Sequence, residues 1–162
     1  MAKITLKGFD KYEKMLASHS KEVDGMIKRA VYDGAGVVLE SIESAIQALP
    51  THRFVYVYGG QYIRYLTPEQ KQGLLDGLGA AKMRNDNGYI NTKIGFDGYN
   101  SVVTDMYPKG QPNSLIARSI ESGTSLRPKT RFVATAVKSA TKQAEQAMED
   151  SCDNYLKKLL GG

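Results

Sequence analysis

Between residues 20 and 49 the apolar side chains return every three or four positions. Val31, Ala35, Val38, Ile42, Ala45 and Leu49 keep this spacing, with Val23, Met26, Ile27 and Ala30 extending it backward. That period holds one stripe of a helix toward a partner. Pro50 ends it, because proline offers no N–H to the helix ladder and restricts the residue before it. At about 1.5 Å per residue the helix would be roughly 45 Å long and would span the molecule. A second stripe, Phe132, Val133, Ala136, Val137, Ala140, Ala144, Ala147, Tyr155, Leu156 and Leu159, predicts a final helix beginning at Pro128. Its alanine-rich middle lets another backbone approach, so the two helices are expected to pack along each other across a sheet.

The segments around and between them alternate instead. Lys3–Lys7 reads as a strand closed by Gly8, followed by a short helical turn over Asp10–Leu16. His52–Leu66 is rich in aromatic and β-branched residues on both sides of Gly59-Gly60, a hairpin pattern. Thr67-Pro68-Glu69-Gln70 has the residues of a capping box and predicts a short helix through Leu78. Asn87-Gly88 marks a second hairpin, after which Ile90, Thr92, Ile94 and Phe96 alternate with polar neighbours. Asp97–Ser114, with Gly98, Pro108, Gly110 and Pro112 around Val102-Val103, reads as a strand plus a long exposed loop. Ser114–Ser122 forms a short helix ended by Gly123.

The chain has 162 residues, 41% hydrophobic and 24% charged, which fits a single domain over 1–162 with a real core. No apolar run approaches the roughly 20 residues that cross a bilayer, and the first residues lack a signal peptide's apolar stretch. No membrane role is expected, and synthesis is placed in a cytoplasm. A single cysteine, Cys152, excludes an internal disulfide framework and a zinc site of paired thiolates. The net charge is +5, and Arg127, Lys129, Arg131, Lys138 and Lys142 carry that same excess within one stretch free of acids. Such a stretch invites a partner acid or phosphate, the more so because positive charge opposes the dipole at a helix N-terminus.

Candidate chemistry largely dissolves into structure. Gly73, Gly77 and Gly79 lack the Lys-Ser/Thr pair of a phosphate loop and read as helix packing and C-capping. Asn85-Asp86-Asn87-Gly88 lacks calcium-ligand spacing and reads as a turn. His19 and His52 have no nucleophile oriented toward them; Glu40 and Glu43 read as solvated acids, and Cys152 as a packed thiol. No catalytic residue, metal site or cofactor is assigned. Two features remain. Tyr56 and Tyr58 alternate with Val55 and Val57, so they share one strand face, with Phe54, Tyr62 and Tyr65 nearby. Tyrosines on a strand serve protein interfaces, or stack bases beside Arg53 and Arg64. Without an RNP-like sequence the interface reading is preferred. The second feature is the basic stretch from Arg127.

The order of these parts resembles the gene-product-ten-like family of tail-completion (head-tail joining) proteins of long-tailed phages. The likeness runs over nearly the whole chain: Gly8-Phe9-Asp10, the long first helix, Gly73-Leu74-Leu75, the run Ile116–Ser125, and Arg127-Pro128 leading to Phe132 before the final helix. Glu121-Ser122-Gly123-Thr124 matches the family's Glu-x-Gly-Thr signature; Pro50–Leu66 departs from it, being a longer aromatic hairpin. The resemblance implies an α+β fold, with a twisted antiparallel sheet packed against a long N-terminal and a long C-terminal helix, and no enzyme activity. It also implies a virion protein at the tail-head interface, made in the bacterial host cytoplasm or encoded by a prophage. There it would form a ring of six copies between the tail-tube protein and the head-completion or connector protein. DNA would pass through the lumen. On this reading the interface residues are Glu121, Gly123, Thr124, Ser125, Arg127 and Arg131, with Tyr56, Tyr58 and Tyr62. Reversing the charge of Arg127 and Arg131 together is expected to abolish joining and leave a folded monomer. The alternative from another class is a nucleic-acid-binding module that uses the tyrosine face and the basic helix, recognised by affinity that falls steeply with salt.

Overall fold

A computed structural model of the chain describes residues 2–3 and 20–159, with side chains from residue 22 onward. Among these the element order is β1 (Ala2–Lys3), α1 (Ser20–Ala48), β2 (Val55–Tyr58), β3 (Gln61–Arg64), α2 (Pro68–Gly77), β4 (Leu78–Ala80), β5 (Arg84–Asp86), β6 (Tyr89–Asn91), β7 (Lys93–Phe96), α3 (Asn113–Ser122) and α4 (Phe132–Leu159). The class is α+β, as expected, with long N- and C-terminal helices and small antiparallel sheets. The expected strand beyond Lys3, the Gly8-Phe9-Asp10 segment, the helical turn at Asp10–Leu16 and His19 lie outside the described residues.

Helices α1 and α4 run antiparallel along a seam of small side chains. Near one end Ser41 Oγ donates to the carbonyl of Ala136 at 3.0 Å. At the other, Met26 and Ala30 share a buried cluster with Met148, Cys152 and Leu156. Between them Gly34 leaves the volume that the Met148 side chain fills. The buried positions of α4 are Phe132, Ala136, Ala140, Ala144, Met148, Cys152 and Leu156. This strict four-residue step advances about 40° per repeat on a 3.6-residue helix, so the buried stripe winds about the axis. That winding explains why Met148, and Ile46 on α1, are buried although the sequence stripe passed over them. The main cluster, which includes Val38, Ile42, Ile46, Leu74, Ile94, Ile120 and Phe132, lies between the helices, α3 and the sheet. Each fully buried aliphatic side chain there contributes about 1.5–3 kcal/mol.

The strands do not form one continuous sheet. β7 pairs antiparallel with β1 on one side and β4 on the other, while β2–β3 and β5–β6 are separate hairpins. Both hairpin turns are the two-residue kind requiring positive φ: Gly59 and Gly60 take +55° and +79°, Asn87 and Gly88 take +56° and +88°. The capping box is formed, with Thr67 Oγ1 accepting from Gln70 N and Gln70 Oε1 from Thr67 N, both at 3.2 Å. α2 stops one residue earlier than expected, because the carbonyl of Gly77 accepts from Asp97 N at 2.8 Å and the chain turns into β4. Gly73 and Gly77 act as packing residues: a Cβ on either would strike Asn113. No strand forms at Val102-Val103. The loop instead folds on itself through Asn100 N to Gln111 O (2.9 Å) and a tight turn between Thr104 and Tyr107.

The largest departure is the start of α4, at Phe132 and not at Pro128. Proline favours the first turn of a helix, but here the following residues are claimed by the end of α3. Thr130 N donates to Ile120 O at 3.1 Å and Arg131 N to Glu121 O at 3.2 Å, so two orphan carbonyls of α3 are satisfied before α4 begins.

Candidate functional interface

The run 121–131 is a joint between two helices. Several of its residues have a local duty. The Glu121 carboxylate accepts from Val133 N (2.8 Å) and Ala134 N (3.1 Å), capping α4 with two charge-assisted bonds. The acid that the helix N-terminus calls for is therefore supplied within the chain. Gly123 ends α3 at φ +74°, ψ 166°, with the Lys129 backbone packed where a Cβ would stand. Thr124 and Arg127 exchange two backbone bonds, 2.9 and 3.2 Å, and Thr124 Oγ1 accepts from the amides of Leu126 and Arg127. Ser125 and Leu126 are left exposed at the tip of this turn.

The basic stretch does not form one face. Arg127 precedes α4 and turns inward, donating to Ser119 Oγ at 3.2 Å and to Gln70 Oε1 at 2.9 Å. Gln70 is itself buried and gives its amide to Gln111 at 2.6 Å. Burial, and then the neighbouring Arg64, hold Arg127 below the usual guanidinium range. Arg131, in contrast, is exposed and adopts φ +52°, a left-handed conformation that is uncommon for a residue with a side chain. Lys138 and Lys142 lie exposed on α4. The joint charge reversal of Arg127 and Arg131 is accordingly confounded: Arg127 is a packed residue, and Arg131 is the clean position. Gln70, the hub that fixes Arg127, was legible in sequence only as a helix cap.

The tyrosines stand on a hairpin that projects from the body. Tyr56 opposes Ile63 and Tyr58 opposes Gln61 on one face, while Val57 opposes Tyr62 on the other, so Tyr56 and Tyr58 share a face that Tyr62 does not. Phe54 is 76% and Tyr58 81% exposed, and Val57 and Tyr62 also lie open. Only the base is tied down. Arg64 N donates to Leu126 O at 2.7 Å, Arg53 pairs with Glu69 at 2.8 Å, and the rings of His52, Tyr56 and Tyr65 meet edge to face at 4.8–5.7 Å. Two-stranded ribbons are marginal alone in water, and this one exposes apolar surface on both sides.

Among the described residues no group of His, Cys, Asp and Glu has the geometry to hold a metal ion, and no helix is long and apolar enough to cross a membrane. Glu40 and Glu43 are solvent-exposed, as their helical spacing led one to expect. Cys152 is 1% exposed within the small cluster at the far end of the seam. Burial, then the Asp153 carboxylate, pushes its thiol up to about 11 from the ordinary 9.0. At pH 8 its alkylation by iodoacetamide is expected to be about 100-fold slower in the folded than in the unfolded chain. Because the unfolded chain releases this proton first, its contribution to stability is complete below about pH 9 and is lost as pH rises from about 9 to about 11. Urea titrations across that range check the slope; a stability that rises there contradicts it.

Comparison with protein families, with curated proteins and with solved structures finds no match to this chain.

Proposed function

We propose that the chain is a structural virion protein that forms a ring at the head-proximal end of a phage tail and joins the tail to the head connector. The observation that carries this reading is the β2–β3 hairpin, which spends Phe54, Tyr56, Val57, Tyr58 and Tyr62 on solvent. Residues of that kind are enriched at interfaces between proteins, where one large ring buries much area at little entropic cost. The family resemblance of the Glu121–Thr124 joint supports the same reading. A ring subunit needs two different patches, and this chain offers two: the aromatic arm and the Ser125–Arg131 turn. Arg131 adds to the argument. Its left-handed backbone is held by the bonds of Arg131 N to Glu121 O and of Thr135 N to Arg131 O, and its side chain is left exposed beside the turn, where a partner can reach it. In the proposed assembly the partners are further copies, the tail-tube protein and the head-completion or connector protein, with DNA passing through the lumen.

Arg131→Glu tests this reading. The substitution leaves every described side-chain hydrogen bond in place, so the melting temperature is expected to stay within about 2 °C. Head-tail joining in a complementation assay is expected to be lost. Normal joining by a folded Arg131→Glu protein removes the joint from the interface.

A further inference from the structure

A groove of about 810 Å³ lies between β7, α3 and the start of α4. Its floor is apolar, made by Ile42, Ile94, Phe96, Ala117, Val133 and Val137. Phe96, Val133 and Val137 are only half-buried, so the fold leaves apolar surface open there. The groove opens beside the joint, since Glu121 and Ser122 reach it from α3 and Ala134 from α4. Of its two charged residues, Glu121 is committed to the cap of α4. Arg118 is exposed, and among the described residues its guanidinium makes no hydrogen bond or ion pair.

The aromatic arm has the dimensions to fill this groove. With strands about 4.8 Å apart and side chains on both faces, a two-stranded ribbon is about 10 Å wide and about 10 Å thick, so it takes up such a volume by entering about 8 Å, or two to three residues. Those residues are Val57, Tyr58 and Tyr62 around Gly59-Gly60, and no charged residue lies from Val55 to Ile63. At exposures of 76, 46, 81 and 61%, Phe54, Tyr56, Tyr58 and Tyr62 leave roughly 500 Å² of aromatic surface in water. Covered by an equal area of groove and rim, they give an interface of roughly 1,000 Å², the size at which specific contacts between proteins begin. Arg118 at the rim favours an aromatic occupant, because a guanidinium is attracted to the face of a ring.

The arm of the same copy is not that occupant. Its rings stand in water, and its base is anchored on the other flank of α3, where Arg64 N donates to Leu126 O and Arg127 to Ser119 Oγ. Ser119 is about 150° round the helix axis from Ser114 and Glu121, which line the groove. Strands of four residues reach only about 13 Å, too short to pass round a helix. A second molecule is free of this tether. An arm that enters the next copy's groove, while its own groove receives another arm, makes the head-to-tail contact from which rings close.

We infer that the tip of the β2–β3 hairpin docks into the β7–α3–α4 groove of a second copy of this chain. The inference rests on the self-assembly contained in the functional proposal and names the surfaces that make it. Both faces of the ribbon are covered at once, Tyr58 against one wall and Val57 with Tyr62 against the other, which accounts for an arm that is apolar on both sides.

The chain has no tryptophan, so a trace of Tyr58→Trp protein reports on the arm tip alone while a second, unlabelled protein is added from micromolar to millimolar concentration. Wild type is expected to move the emission to shorter wavelength as the ring leaves water. The arm variant Val57→Ser, Tyr58→Ser, Tyr62→Ser is expected to do the same, because its groove is intact. Ala134→Lys, at an exposed position lining the groove, sets a charge across its mouth and should raise the half-point of the shift about tenfold. Its melting temperature is expected to stay within about 2 °C, which separates a blocked groove from a damaged fold. The inference is overturned if wild type at millimolar concentration leaves the emission unmoved, or if Ala134→Lys works as well as wild type. It is equally overturned if the arm variant fails, which means that arms pair with arms, or if purified tail-tube protein moves the emission and wild type does not. The joining assay on Arg131→Glu reads neither the arm nor the groove, so the two proposals fail separately.

Discussion

Met148→Ala is expected to destabilise the protein by about 3 kcal/mol, and Gly34→Ala, itself destabilising, is expected to rescue part of that loss when the two are combined. The Met148 side chain is fully buried and occupies the place where a Gly34 Cβ would stand. Truncating it removes its transfer energy and leaves a cavity at the centre of the α1–α4 seam. Alanine at 34 gains close to 1 kcal/mol of helix propensity. In the wild type that gain is outweighed, because the sulfur and both flanking carbons of Met148 must leave a packed site to make room. In the double variant the obstruction is gone and the new methyl fills part of the cavity. Urea denaturation of the four proteins reads the coupling directly. An additive cycle means that the two helices do not meet at Gly34 and Met148.

The second large effect is expected at the joint. Gly123→Ala should lower stability by about 3 kcal/mol, roughly 10 °C in melting temperature. Backbone at φ +74°, ψ 166° is a region that glycine alone occupies readily, and the new Cβ would press on the Lys129 backbone N and Cα at 3.0–3.1 Å. That backbone cannot withdraw without breaking the bonds from Thr130 and Arg131 to the end of α3. Gly59→Ala is the control: it also has positive φ, but open space surrounds it, so only about 1 kcal/mol should be lost. Equal losses at both positions contradict the packed joint.

Local chemistry made much of this fold readable. Gly59-Gly60 and Asn87-Gly88 announce their hairpins because two-residue turns need positive φ, and Thr67–Gln70 announces a helix because its cap is satisfied within four residues. Long-range bonds were not readable. Pro128 looks like a helix start, yet the backbone groups of Thr130 and Arg131 are committed to α3, and no local pattern records that. Arg127 looks like part of a basic helix face but is held inward by Gln70, 57 residues away. The capping of α4 by Glu121 was not readable either, because it depends on how α3 packs against the start of α4. The division of the strands into three small sheets has a similar origin: after the second hairpin Thr92 bonds Ala81 through its hydroxyl at 2.7 Å and the ladder breaks there.

Electron microscopy of purified tail tubes mixed with this protein bears most directly on its role. The expected image is a ring of copies at one end of each tube, lost with Arg131→Glu and unaffected by nuclease. Bare tubes, together with binding to free DNA that collapses as salt is raised, would contradict a joining role and favour the nucleic-acid module.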